Sequence, residues 1–117
     1  MTWPLADRPR EFPDAIASHR AAAEASGALL LPAGEAWLRA LTADRRLKLY
    51  SDAIHPSSLG SDLAVLTLYL AIFPAGPTEF DEAFVEKIAG VLELPRSRRD
   101  PFFDAATRAI DEPLRLR

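Results

Sequence analysis

Residues 27–32 read Gly27-Ala28-Leu29-Leu30-Leu31-Pro32, four apolar residues between a glycine and a proline. Helical patterning lies on both sides. A short, uninterrupted apolar run in that setting predicts a buried strand of a parallel sheet, because such strands are covered on both faces and need no alternation. On this reading the chain is α/β.

Upstream, Pro13 and Asp14 suit the first turn of a helix that runs to about Ser26. Proline lacks the N–H that a first turn leaves unpaired, an aspartate there favours the helix dipole, and Gly27 stands where helices end. Downstream, Gly34 to about Asp44 is helical by pattern, with Trp37, Leu38 and Leu41 on one side. Leu47 and Leu49 flank Lys48, which predicts a short extended stretch, and Asp52 to Leu59 reads as loop. Ser57 or Ser58 is expected to cap a helix that reaches Phe73 and, being apolar nearly all round, belongs in a core. Pro74-Ala75-Gly76-Pro77 reads as a stop. Thr78 then caps a helix over roughly 79–92, with Phe80, Phe84 and Ile88 on one face, and Asp100-Pro101 opens a last helix that ends near Glu112.

Composition narrows the function. A net charge of -3 over 117 residues offers no basic field for phosphates, so nucleic acid is not an expected partner. With no cysteine, disulfides, zinc–thiolate sites and cysteine nucleophiles are excluded. Two histidines leave little for a metal site, and no cofactor is expected. The start of the chain shows no basic stretch followed by an apolar run, so no targeting segment is read and the chain as written is cytoplasmic. Its most apolar window, Leu63 to Phe73, is too short to cross a bilayer, which takes roughly 20 residues.

The stretch that carries chemistry is Ser51-Asp52-Ala53-Ile54-His55-Pro56-Ser57-Ser58-Leu59-Gly60. Asp52 and His55 stand three apart on a loop that enters a helix. A carboxylate on one imidazole nitrogen fixes the tautomer, leaves the other nitrogen as a base and stabilises the imidazolium once a proton is taken. Pro56 restricts the backbone at His55. The same residue types are common in plain loops, and the spacing alone favours a plain loop.

The wider block, Asp-x-x-His-Pro-Ser-x-x-Gly followed by an apolar helix, resembles the last conserved block of the SGNH/GDSL hydrolases. Leu31-Pro32-Ala33-Gly34-Glu35-Ala36-Trp37 is similar to the strand-to-helix passage before that block in one bacterial branch, and Met1-Thr2-Trp3-Pro4 to the end of an earlier strand there. The resemblance covers residues 1–75, while 76–117 read as C-terminal helices of the same single, incomplete domain. It implies a partial flavodoxin-like three-layer α/β/α fold with a short parallel sheet remnant, helix-rich overall. It further implies a serine esterase or lipase in which Asp52 orients His55 as general base, acting on small-molecule, carbohydrate or lipid esters.

The chain departs from that family in its nucleophile. The family's serine follows the first strand in a Gly-Asp-Ser-like turn, which has no counterpart here. The oxyanion asparagine has none either, since the sequence contains no asparagine or glutamine. The first expectation is therefore the C-terminal fragment of a serine ester hydrolase, inactive alone, with Met1 internal to a longer reading frame. A second is a non-catalytic assembly module that pairs with an N-terminal half, or dimerises through an exposed sheet edge. A third is a small independent helical domain.

Other residues have plainer readings. His19 is expected to pack half-buried beside Ile16 and Ala23, and Trp3 and Trp37 to pack in the core or at an interface. Glu35 and Asp62 suit the first turns of their helices. Arg96, Arg98 and Arg99 are read as a solvated basic loop.

Overall fold

A computed structural model describes residues 3–73 and 82–115. After a single 3-10 turn at Pro9–Glu11 come five helices: α1 (Phe12–Ser26), α2 (Ala33–Ala43), α3 (Ser58–Ile72), α4 (Glu82–Val91) and α5 (Arg96–Asp111). No strand or sheet occurs among the described residues; the one ladder-type contact is an isolated antiparallel bridge between Tyr50 and Pro56. This overturns the α/β expectation, and with it the flavodoxin-like layers, the sheet remnant and the sheet edge through which copies were to associate.

The reason lies in the backbone of 27–32. Gly27 takes the left-handed conformation, φ 65°, as foreseen for a helix end. Its N–H bonds to Glu24 O at 3.4 Å, and the Ala28 N–H reaches back to Ala23 O at 3.0 Å, so the first groups of the supposed strand cap α1. Ala33 N–H then closes on Leu31 O at 2.9 Å. Leu29 is 67% exposed and Leu30 and Leu31 are half-buried. A parallel strand needs at least one strand to pair with and cover on both faces. This run has neither, and it serves as the connection between α1 and α2.

Helices α2, α3 and α5 pack on one another, and α1 lies against α2. Trp37, Leu49, Leu63, Leu66, Phe102 and Ala106 are fully enclosed at the centre, and Phe12 extends the core. Leu63, Leu66, Thr67 and Leu70 form the buried face of α3, at the spacing one helix face requires. The Thr67 hydroxyl is satisfied by Leu63 O at 2.8 Å. Among the described residues the opposite face is not covered: Val65, Ile72 and the following Phe73 are 50%, 48% and 60% exposed, so α3 meets the core on one side.

Helix α4 carries Phe84 and Ile88 onto the core from one face, as the pattern indicates. Phe80, the cap at Thr78 and the stop at Pro74–Pro77 lie outside the described residues. Past α4, Leu94 N–H bonds to Ala89 O at 2.9 Å, and Glu93 takes φ 55°, a left-handed position that favours glycine. Helix α5 begins five residues before the expected Asp100-Pro101 start. Pro95 precedes it, and Pro101 sits inside it, exposed. The arginines of the supposed basic loop form its first turn. Arg98 pairs with Asp44 at 3.3 Å, and Arg99 with Glu86. These pairs tie α5 to the end of α2 and to α4, which a solvated loop would not do.

Glu35 does more than complement a helix dipole. It is 1% exposed in the first turn of α2. Its carboxylate pairs with Arg20 of α1 and, at 3.3 Å, with Arg39 one turn on, and accepts the Leu114 N–H at 2.6 Å. Arg20 also donates to Leu114 O at 2.6 Å, and Arg39 to Glu112 O. A buried carboxylate is tolerable when its oxygens are filled by charged donors. Here that requirement fastens the chain after α5 onto α1 and α2.

Candidate functional site

The loop at 50–57 is held at its base. Ser57 caps α3, its Oγ accepting the Gly60 N–H at 3.1 Å and donating to Lys48 O at 2.7 Å, while its own N–H bonds to Leu49 O at 2.8 Å. Leu47 and Leu49 are buried and Lys48 is exposed, so the alternation in burial is present, but no strand forms there. Above the base, the Ser51 N–H donates to His55 O at 2.9 Å, closing the loop beside the Tyr50–Pro56 bridge.

Inside the loop, Asp52 and His55 meet as their spacing foretold. Asp52 Oδ1 accepts the backbone N–H groups of Ile54 at 2.8 Å and His55 at 2.7 Å, and Oδ2 lies 2.7 Å from His55 Nδ1. The Asp52 carboxyl is held down at about 2 by the His55 backbone N–H first, then the Ile54 N–H, then the His55 ring. An ionised carboxylate at this distance favours the tautomer with its proton on Nδ1, which leaves the Nε2 lone pair for a substrate or a nucleophile.

The pair is open to solvent, with His55 67% and Asp52 55% exposed at the side chain. Two larger concavities are built elsewhere. A cleft of about 680 Å³ between α2 and α5 is lined by Leu38, Arg39, Leu47, Ala105 and Leu114, and one of about 510 Å³ by Phe12, Leu41, Leu47 and Tyr50. Neither has Asp52 or His55 in its wall. Three serine hydroxyls are engaged away from the ring: Ser57 with Lys48 O, Ser51 with His55 O at 3.3 Å, and Ser26 within its own helix.

The remaining candidates have structural places. His19 is half-buried on α1, its Nδ1 2.8 Å from Ala15 O. Among the described residues no three His, Asp or Glu side chains gather as metal ligands. Trp3 stacks on Trp37 with ring centroids 4.2 Å apart and planes 6° from parallel, and Trp37 is fully buried. Burial first, and the Glu93 charge second, push the Asp62 carboxyl up from its ordinary value. No helix among the described residues is long and apolar enough to cross a membrane.

Comparison of the chain with protein-family models, with curated proteins and with solved structures yields no match.

Proposed function

We propose that Asp52 and His55 are the acid–base half of a serine ester hydrolase site of the SGNH/GDSL type, and that the nucleophilic serine is supplied from outside these 117 residues. The observation that carries the reading is the 2.7 Å contact between Asp52 Oδ2 and His55 Nδ1, made on a loop that leaves the other face of the ring open. The reading rests on this loop and does not need a sheet in this chain.

In that reaction His55 Nε2 takes the proton of the serine hydroxyl as its oxygen attacks the ester carbonyl. Asp52 stabilises the imidazolium, which then protonates the departing alkoxide; water enters by the same route and frees the acid. The chain has no side-chain amide, so an asparagine of the oxyanion hole would have to come from elsewhere.

The test is hydrolysis of p-nitrophenyl acetate by the protein isolated undenatured from its native host, with its associated chains. His55→Ala is expected to lower kcat/KM about 10³-fold or more, and Asp52→Asn by about 10³–10⁴-fold through loss of the tautomer, with little change in folding. The 117-residue chain alone is expected to turn over no faster than its His55→Ala variant. Hydrolysis by the native isolate that His55→Ala leaves unchanged sinks the reading.

A second reading, an independently folding helical domain, is favoured by the core itself, since Trp37, Leu63, Leu66 and Phe102 are fully enclosed with no strand among the described residues. Its test is thermal unfolding of the lone chain followed by circular dichroism. A single sharp transition supports it, and a broad, gradual loss of helix opposes it.

A further inference from the structure

The loop that carries Asp52 and His55 is exposed from Ser51 to His55, and neither helix nor sheet holds its tip. What reaches the tip is the N-terminal segment. The Ala6 N–H donates to Ala53 O at 2.9 Å, between the two residues of the pair. That segment is in turn seated by Tyr50, whose hydroxyl donates to Pro4 O at 2.6 Å. Pro4 is buried, and Trp3 before it stacks on Trp37. The Tyr50 ring stands edge-on to Trp37, centroids 5.0 Å apart at 90°, and its half-buried phenol is pushed up to about 12 by desolvation, so the hydroxyl keeps its proton and remains a donor.

We propose that Tyr50 is a positioning residue for the Asp52–His55 pair. Its hydroxyl seats Trp3–Ala6, and that segment holds the turn over Asp52–His55 through the bond from Ala6 to Ala53. The assignment of a catalytic role to the pair rests on the function proposed above; the brace itself is a property of the fold. A backbone bond at Ala53 fixes the peptide from which the Ile54 N–H points, and that N–H is one of the two donors on Asp52 Oδ1. Loss of the brace therefore loosens the carboxylate first and the ring contact second.

The experiment is proton and nitrogen NMR of the full chain, reading the His55 Nδ1–H resonance and the exchange rates of individual amides. Tyr50→Phe keeps the ring against Trp37 and deletes only the hydroxyl. It is expected to speed exchange of the Ala6 amide at least tenfold and to weaken or broaden the Nδ1–H signal, while Leu66 and Leu70 amides in α3 keep their wild-type protection. Ala6→Pro removes the donor directly and leaves Tyr50 in place. It is expected to give the same His55 change, and it decides the matter if Tyr50→Phe loosens the whole core. A wild-type Nδ1–H signal in Ala6→Pro overturns the brace. Because the readout is a hydrogen bond and not turnover, an outcome against the brace is distinct from one against the hydrolase reading.

Discussion

Gly60 lies directly against Trp37. The indole Nε1 donates to Gly60 O at 3.1 Å, and a Cβ on Gly60 would stand 2.6 Å from Trp37 Cζ2 while overlapping the Leu49 carbonyl oxygen. The glycine is there for close approach, since its own backbone is helical. It lets the first turn of α3 press onto the buried ring, and so sets where the loop at 50–57 leaves the core.

Gly60→Ala is accordingly expected to destabilise the protein by about 2 kcal/mol or more, because backbone and a buried ring must move to admit one methyl group. Gly90, in α4, has open space where a Cβ would go. Gly90→Ala is expected to stabilise by about 0.5–1 kcal/mol from helix propensity alone. Urea unfolding of the two variants checks both, and a smaller loss at Gly60 than about 0.5 kcal/mol, the ordinary range of a surface change, contradicts the packing argument.

Glu35 holds two arginines and a backbone amide at 1% exposure. Glu35→Ala removes the carboxylate that all three share and leaves the Leu114 N–H unpaired, while Arg20 keeps Leu114 O and Arg39 keeps Glu112 O. Fully buried pairs broken in this way cost about 3–5 kcal/mol; with Arg20 at 26% exposure, water takes over part of the loss, and about 2–3 kcal/mol is expected. Glu11→Ala, which removes an exposed partner of Arg8, should cost about 0–0.5 kcal/mol. Equal losses in the two variants, read by denaturant unfolding, would contradict the buried-network account.

The Asp52 carboxyl is held at about 2, below its ordinary value of 3.8. Its folded value being the lower one, its contribution to holding the loop is fully present above the unfolded value and is lost as pH falls through the folded one, a window from about pH 4 down to about pH 2. The carboxyl carbon shift of Asp52, followed by NMR during acid titration, is expected to move with a midpoint near 2. A midpoint at the ordinary carboxylate value would mean that the two N–H donors are not on Oδ1 in solution.

Glu93 sits at a left-handed φ of 55° after α4 and raises the titration of Asp62. Glu93→Gly is expected to relieve the backbone cost, about 1 kcal/mol, and to lower the Asp62 midpoint toward the usual carboxylate range. Desolvation, the larger cause, remains, so the return is partial. Both effects are read from one variant, by thermal melting and by acid titration.

The helices were legible because their signals are local. Gly27 ends α1, Ser57 caps α3 and the Phe84–Ile88 face of α4 repeats at helical spacing. The pair at Asp52 and His55 was legible for the same reason, since a carboxylate can reach a ring three residues on. What misled was Leu29-Leu30-Leu31. Apolarity without period fits a buried strand and a helix connection equally, and only the absence of neighbouring strands, a long-range fact, separates them. Pro101 misled differently: as a first-turn signal it was strong, yet α5 starts at Arg96 because Arg98 and Arg99 have Asp44 and Glu86 to meet. The role of Glu35 was not legible at all, since two of its partners lie 15 and 79 residues away in sequence.

The central claim is that Asp52 fixes the His55 imidazole with its proton on Nδ1 and its lone pair on Nε2. The most direct test is a long-range proton–nitrogen correlation spectrum of the full chain at about pH 9, where an imidazole is neutral. The account predicts a protonated Nδ1 and a bare Nε2 for His55, reversed toward the ordinary Nε2–H form in Asp52→Asn. A wild-type His55 found mainly as the Nε2–H tautomer would contradict it, since that nitrogen could not then serve as the base.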